Sequence, residues 1–177
     1  MSSAASLTLV LGGARSGKSR YAENLIAALP PPWQPPWTYL ATAEAGDAEM
    51  AALIAAHRAR RGPQWRTIEA PRDLAAALKS RETTPALVDC LTLWLSNLML
   101  AEADIDAEFA RLEQTLSVGR APVVLVANEV GSGIVPDNPL GRRFRDLQGV
   151  LNQRMAACAD RVLLLVAGLP LAIKGKL

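Results

Sequence analysis

Short, fully apolar runs alternate with longer amphipathic runs along this chain. Leu7–Leu11 and Val123–Ala127 have the apolar character of buried strands, whereas Asp47–Arg61 places its apolar residues at helical spacing. Strands that are apolar throughout and separated by helices indicate a parallel sheet covered on both faces. The pattern therefore predicts the α/β class, with a mostly parallel central sheet and helices on both of its faces.

The same pattern sets the expected order of elements. The predicted strands are Leu7–Leu11, Thr38–Thr42, Trp65–Glu69, Ala86–Asp89, Val123–Ala127 and Arg161–Ala167. The predicted helices are Ser16–Leu29, Asp47–Arg61, Asp73–Lys79, Leu91–Ala101, Ala107–Leu116 and Leu140–Ala157. Five prolines between residues 30 and 36 predict a loop, because proline cannot continue a helix or donate to a strand ladder. The residues after the last strand, including Pro170 and Lys174, are expected to form a short tail.

Length and composition set limits on the class of protein. A chain of 177 residues, half of them hydrophobic, suits a single domain over residues 1–177 with a substantial core. The formal net charge of +2 gives no argument for nucleic-acid binding. The N-terminal residues have no signal-peptide pattern, and no apolar run approaches the length of a membrane span, so a cytoplasmic protein is expected. Cys90 and Cys158 form no metal or disulfide pattern and are expected to be buried.

One segment matches the phosphate-binding motif GxxxxGK[ST] without a gap. It consists of Gly12, Gly13, Ala14, Arg15, Ser16, Gly17, Lys18 and Ser19. Glycines let main-chain N–H groups turn towards an anion, and the helix that follows directs its positive dipole end at the same point. Lys18 is expected to reach the β- and γ-phosphates of a nucleoside triphosphate, and the Ser19 hydroxyl to bind Mg²⁺.

A site of this kind also needs an acidic residue at the end of a neighbouring strand to hold Mg²⁺ through its water shell. Asp89 follows the apolar residues 86–88, and Glu129 follows the strand that ends near Asn128. The pattern alone does not distinguish them, and either carboxylate could instead belong to an ordinary cap or loop.

His57 is the only histidine of the chain and shares a helix face with Ile54. It can be interpreted as a half-buried residue beside a basic helix end, since Arg58, Arg60 and Arg61 follow it. It can also be interpreted as a nucleophile, because a neutral imidazole nitrogen can attack phosphorus and form a phosphoramidate. Neighbouring guanidinium groups would disfavour the imidazolium form and would bind the triphosphate. Composition and spacing do not decide between the two.

Several segments taken together resemble one known family. These are Leu9–Glu23, Tyr39–Thr42, the run from Asp47 to Ile54 with His57, Trp65–Glu69, Asp89–Asn97 and Asn128–Met155. In this order they resemble the bifunctional adenosylcobinamide kinase/adenosylcobinamide-phosphate guanylyltransferase of cobalamin biosynthesis. The resemblance implies a RecA-like P-loop fold, a homotrimer, and Mg²⁺ with ATP or GTP as substrates. The sequence departs from the family pattern at Leu53, where arginine is common in the family.

The resemblance implies two reactions. ATP or GTP phosphorylates the aminopropanol hydroxyl of adenosylcobinamide, and GTP then guanylylates an active-site histidine with release of pyrophosphate. The GMP passes to adenosylcobinamide phosphate and gives adenosylcobinamide-GDP. His57 occupies the place of that histidine, and Asp89 is favoured over Glu129. The other positions that the resemblance assigns to the nucleotide are Thr42, Ala43, Glu44, Arg58, Ala59, Arg60, Arg61 and Glu69.

Two other functions stay open on the residues alone. One is a different P-loop small-molecule kinase in which His57 is only packed. The other is a nucleotide-driven regulatory GTPase, a class that usually reads guanine with an NKxD segment, which this sequence lacks.

Overall fold

The structure, a computed structural model, describes residues 7–46, 48–81 and 83–177, without the side chains of Glu49, Met50, Leu53, His57 and Arg60. Within these residues the strands are β1 (Leu7–Gly12), β2 (Trp37–Ala41), β3 (Trp65–Glu69), β4 (Ala86–Asp89), β5 (Val123–Asn128), β6 (Arg161–Val166) and β7 (Leu169–Lys174). The helices are α1 (Lys18–Ala27), α2 (Ala48–Arg60), α3 (Leu74–Ser80), α4 (Leu91–Leu100), α5 (Ile105–Val118) and α6 (Pro139–Cys158).

The strands form one sheet in the order β3-β2-β4-β5-β1-β6-β7. β3, β2, β4, β5, β1 and β6 are parallel, and β7 pairs with β6 in the antiparallel direction. Parallel strands connected by helices place all their carboxyl ends at one edge of the sheet. That edge carries the ends of β1 to β5, where the sequence motifs lie.

Each face of the sheet packs against its own apolar layer. On one face, strand residues such as Leu9, Leu40 and Leu125 pack with side chains of α3, α4, α5 and α6. On the other face, Val10 and Val126 belong to a cluster that includes residues of α1. Central strands are thus buried on both sides, which is why they are apolar throughout. The predicted α/β class, parallel sheet and two covered faces are confirmed.

Several helices begin at residues other than those predicted. α1 begins at Lys18 because Gly17, with φ of 93°, ends the preceding loop and serves as the N-cap. α5 begins at Ile105, two residues early, since the Asp104 carboxylate accepts a hydrogen bond from the N–H of Ala107 at 3.1 Å. The predicted first residue of α2, Asp47, lies outside the described residues.

The expected tail after the sixth strand is wrong, because these residues form β7. Ala167 and Gly168 adopt φ of 52° and 82°, and this turn reverses the chain into a hairpin. Proline is uncommon in strands, so Pro170 does not favour one. An edge strand such as β7 tolerates a proline if the missing N–H would face away from the neighbouring strand. The strand's end is fixed by Lys174, whose ammonium donates to the carbonyls of Ala156 and Ala157, both at 3.1 Å.

The two cysteines differ in environment. Cys90 is buried as expected, whereas Cys158 is exposed at the end of α6, so the expectation for Cys158 is wrong. Among the described parts of the chain, none of the helices has the combination of length and apolar character that crossing a bilayer requires.

Candidate functional site

A cavity of about 560 Å³ lies at the carboxyl ends of the strands, on the face that α1 covers. Side chains alternate between the two faces of a strand, so residues two apart share a face. This alternation brings one set of strand residues to the cavity. The set comprises Tyr39 and Ala41 of β2, Thr67 and Glu69 of β3, Asp89 of β4, and Val126 and Asn128 of β5.

The phosphate-binding motif forms the wall nearest α1. Residues 14–20 line the cavity, whereas Gly12 and Gly13 lie behind them in the turn. A Cβ atom at Gly12 would lie 2.5 Å from the carbonyl oxygen of Leu165, so the chain can pass β6 only with glycine there. No side chain caps the N-terminus of α1, whose first N–H groups are therefore available to an anion.

The side chain of Lys18 lies inside this loop and contacts its main chain. Its ammonium donates to the carbonyl of Gly13 at 2.6 Å and to the hydroxyl of Ser16 at 3.5 Å. Burial lowers the pKa of Lys18 below its ordinary value, and the neighbouring acidic groups of Cys90 and Asp89 oppose that shift. A buried ammonium beside uncapped helix amides makes this wall strongly attractive to polyphosphate.

Ile54 and Arg58 of α2 and Arg61, which directly follows the helix, line the opposite wall. Position 57 lies three residues after Ile54, so the helical period puts it on the same side of α2 as Ile54. The side chain of His57, and that of Arg60, lie outside the described residues. Ala59 is exposed and does not line the cavity.

The structure separates the two acidic candidates. Asp89 lines the cavity, and one of its oxygens accepts a hydrogen bond from the Tyr39 hydroxyl at 2.7 Å. The Glu129 carboxylate instead accepts from the N–H of Gly131 at 2.6 Å, and it does not line the cavity. Asp89 is therefore the acid that faces the phosphate-binding loop.

The three residues after β2 occupy different environments. Ala43 lines the cavity. Thr42 is fully buried outside it, with its hydroxyl bonded to the main chain of Cys90. Glu44 lies 3.8 Å from Arg72 on the surface and does not reach the cavity. The structure thus brings one of these three predicted residues to the site and not the other two.

Sequence reasoning missed several residues of the cavity wall, among them Tyr39, Thr67 and Asn128. Tyr39 and Thr67 lie two residues before Ala41 and Glu69, so the two-residue period of a strand is the signal that could have found them. Asn128 is the last residue of β5, and no such signal marks it. Asn128 is also held from behind, since its N–H donates to Thr92 Oγ1 at 2.8 Å and its carbonyl accepts from Asn152 at 3.1 Å.

The oxygen ligands near the loop fit magnesium. Ser19 and Asp89 both line the cavity, and they offer a hydroxyl and a carboxylate. The described residues contain no group of three or more His, Cys, Asp or Glu side chains that could hold a metal by themselves. Magnesium keeps several waters and uses one or two carboxylates plus substrate phosphates, so this sparse set suits it.

Comparisons with known proteins agree with this geometry. A family model described as cobinamide kinase / cobinamide phosphate guanyltransferase (CobU) matches residues 8–173. The chain is 48% identical over 176 residues to the bifunctional adenosylcobalamin biosynthesis protein CobP of Pseudomonas aeruginosa, covering 95% of this chain and 97% of that protein. It is 42% identical over 186 residues to the bifunctional adenosylcobalamin biosynthesis protein CobU of Salmonella typhimurium, covering 95% and 99%.

Solved structures with similar folds are distant in sequence. The flagellar accessory protein FlaH of Methanocaldococcus jannaschii gives a TM-score of 0.53 at 12% identity, with 96% of this chain and 78% of that one covered. An ATPase from the type III secretion system of pathogenic bacteria gives 0.53 at 13% identity, with 91% and 51% covered. These likenesses concern the fold alone, and they confirm the predicted RecA-like P-loop architecture.

Proposed function

The chain belongs to the cobinamide kinase / cobinamide phosphate guanyltransferase family, and on that premise we propose that it catalyses both reactions of the family's name. It phosphorylates adenosylcobinamide with ATP or GTP, and it then transfers GMP from GTP to adenosylcobinamide phosphate. The observation that carries the proposal is a single cavity with the phosphate-binding loop on one wall and Ile54, Arg58 and Arg61 on the other. His57 belongs to the same helix as Ile54 and Arg58.

In the kinase step the loop binds the triphosphate through main-chain N–H groups, and Lys18 balances charge on the transferred γ-phosphoryl group. The substrate hydroxyl oxygen bonds to the γ-phosphorus, the bond to the β-phosphate oxygen breaks, and the nucleoside diphosphate leaves. Ser19 and Asp89 would hold Mg²⁺, which neutralises phosphate charge when bound.

In the guanylyl transfer a ring nitrogen of His57 bonds to the α-phosphorus of GTP, and pyrophosphate leaves. A phosphate oxygen of adenosylcobinamide phosphate then attacks the same phosphorus and displaces the imidazole, which gives adenosylcobinamide-GDP. Arg58 and Arg61, on the same wall, would stabilise the charge of the departing pyrophosphate. Ala43 and Glu69 line the same cavity, and we assign them to contacts with the nucleoside.

The proposal has a direct test in covalent labelling. The protein is incubated with GTP labelled at the α-phosphate and is then denatured. We expect a label that acid removes and base does not, as for a histidine phosphoramidate, and no label with γ-labelled GTP. Since the sequence contains one histidine, His57→Ala should take up none.

Two results would contradict the proposal in different ways. An unlabelled wild-type protein that still binds GTP would remove the guanylyl transfer and leave another P-loop kinase as the function. A label that persists in a folded His57→Ala variant would show that another residue is the nucleophile. Slow GTP hydrolysis that needs no corrinoid acceptor would instead favour a regulatory GTPase.

Two further properties stay predictions, namely assembly as a homotrimer, which the resemblance implies, and a cytoplasmic location, which the N-terminal pattern predicts. Light scattering coupled to gel filtration would measure the mass of the assembly, and a monomer mass at micromolar concentration would contradict the trimer.

A further inference from the structure

Tyr39 contacts both functional walls of the cavity, although it is not among the site residues that the sequence predicts. It lies in the middle of β2, is almost fully buried, and lines the cavity with one edge. The central carbon of the Arg61 guanidinium lies 3.3 Å from the centroid of its ring. Its hydroxyl donates to Asp89 at 2.7 Å. One side chain thus touches the cation that follows α2 and the acid that faces the phosphate-binding loop.

The ring acts as a platform for Arg61. A cation over an aromatic face is attracted by the ring's quadrupole. Two donor atoms of Arg61, Nε and Nη1, are buried and have no hydrogen-bond partner among the described residues. Buried donor atoms without partners are costly, so their position in a phosphate-binding cavity indicates that they are kept for an anion.

The platform is itself held in place by aromatic packing. The ring of Trp65 meets that of Tyr39 edge to face, with centroids 6.0 Å apart and planes at 88°. Trp37 packs on the far side of Trp65, at 5.4 Å between centroids. Trp37 belongs to the same aromatic cluster, but its ring pairs with Trp65 and it does not line the cavity.

The hydroxyl acts on Asp89. A tyrosine hydroxyl can donate to a carboxylate, and the one on Tyr39 lies 2.7 Å from Asp89 Oδ2. The bond commits one carboxylate oxygen of Asp89 and fixes the rotation of the group. The other oxygen is then presented in a constant orientation to a water bound to magnesium.

We propose that Tyr39 is a positioning residue for the nucleotide site: its ring holds Arg61 against the phosphates, and its hydroxyl orients Asp89 towards magnesium. The inference rests on the proposed function for the role of the site, but it concerns nucleotide binding and can be tested without the chemical steps.

The test measures the dissociation constant of GTP with EDTA and with saturating Mg²⁺. Tyr39→Phe keeps the ring and removes the hydroxyl, so binding in EDTA should stay within twofold, while binding with Mg²⁺ should weaken by about tenfold. Tyr39→Leu also removes the platform, so binding should weaken by about tenfold even in EDTA. Trp37→Leu is the matched control from the same strand and aromatic cluster, and it should leave both constants within twofold.

The outcomes separate positioning from general packing. The inference is overturned if Mg²⁺ increases the affinity for GTP as much in Tyr39→Phe as in the wild type. It is also overturned if Trp37→Leu weakens GTP binding as much as Tyr39→Leu. Covalent labelling of the wild-type protein in parallel reports on the proposed function alone. The expected binding pattern with an unlabelled wild type would therefore support Tyr39 while contradicting the guanylyl transfer.

Discussion

The hydroxyl of Thr42 hydrogen-bonds both the N–H and the C=O of Cys90: Oγ1 accepts from the nitrogen at 2.8 Å and donates to the oxygen at 2.7 Å. The last paired residues of β2 and β4 are Ala41 and Asp89, so this side chain adds one further connection beyond the strand ladder. It joins the end of β2 to the residue that begins α4 and thereby fixes the main chain next to Asp89.

Replacement of Thr42 by valine should destabilise the protein by about 1–3 kcal/mol, because the isosteric side chain leaves the buried N–H of Cys90 without a partner and its C=O with only the bond from the N–H of Trp94. Thr42→Ser keeps the hydroxyl and should cost about 1 kcal/mol for the lost methyl group. Urea unfolding at pH 7 measures both. Equal stability of the valine variant and the wild type would show that the two bonds contribute nothing.

The same pair of variants tests the predicted nucleotide contact at Thr42. Since Thr42 is fully buried and outside the cavity, Thr42→Ser should keep the KM for GTP within twofold of the wild type. A large rise in KM with unchanged stability would restore Thr42 as a direct contact.

Asp89 and Glu129 can be compared by isosteric amides. Asp89→Asn should lower the rate of magnesium-dependent phosphorylation by about 100-fold, because the carboxylate faces the loop that binds the phosphates. Glu129→Gln should change that rate by less than threefold, since Glu129 bonds its own loop. Steady-state kinetics over a range of Mg²⁺ concentrations gives both numbers. The reverse order of effects would move the acidic role to Glu129.

Local patterns predicted most of this fold. The apolar runs indicated the six parallel strands, and the motif around Lys18 indicated where the first strand ends and a helix begins. β7 was missed because its outward residues, such as Leu169 and Leu171, are exposed and Pro170 interrupts the pattern. β3, at the opposite edge of the sheet, was predicted because its residues 65–69 contain no proline or glycine.

The site was harder to predict than the fold, because contacts across the sheet depend on strand order. Tyr39 and Asp89 are 50 residues apart, and they meet only because β2 pairs with β4. The sequence places Tyr39 in a predicted strand but does not indicate its contact with Asp89. The same limit applies to Glu129, which follows a suitable strand but turns towards Gly131.

Lys18→Met should separate function from stability. The folded-state pKa of Lys18 lies below its unfolded value of 10.5, so the protonated side chain costs stability at neutral pH. That cost disappears only as the pH rises through the folded pKa towards 10.5. The rate of phosphorylation by the variant should therefore be at least about 100-fold lower than that of the wild type. Its unfolding free energy at pH 7 should equal that of the wild type or exceed it by up to about 1 kcal/mol.

The measurement is thermal unfolding with and without GTP and Mg²⁺. Ligand should raise the midpoint of the wild type and of Lys79→Met, a matched substitution on the exposed side of α3, but not that of Lys18→Met. A clear loss of stability in ligand-free Lys18→Met would mean that its bonds to Gly13 and Ser16 outweigh the cost of burial.

The ion pair between Glu113 of α5 and Arg154 of α6 predicts a dependence of stability on pH. Arg154 donates from Nε and Nη2 to the two carboxylate oxygens at 2.6 and 2.7 Å. Hydrogen bonding to Arg154 lowers the pKa of Glu113 below its ordinary value of 4.5. Stability from the pair is therefore complete above pH 4.5 and is lost as the pH falls through the lower folded pKa.

Because both side chains are partly exposed, Glu113→Gln should cost only about 1 kcal/mol at pH 7. Urea unfolding over a range from neutral to acidic pH should show the gap in unfolding free energy between variant and wild type closing as the pH falls below 4.5. The control Glu108→Gln removes an i,i+3 partner of Arg111 on the same helix and should cost less than about 0.5 kcal/mol. A gap at Glu113 that is the same at both ends of this range would show that the lost stability comes from packing and not from charge.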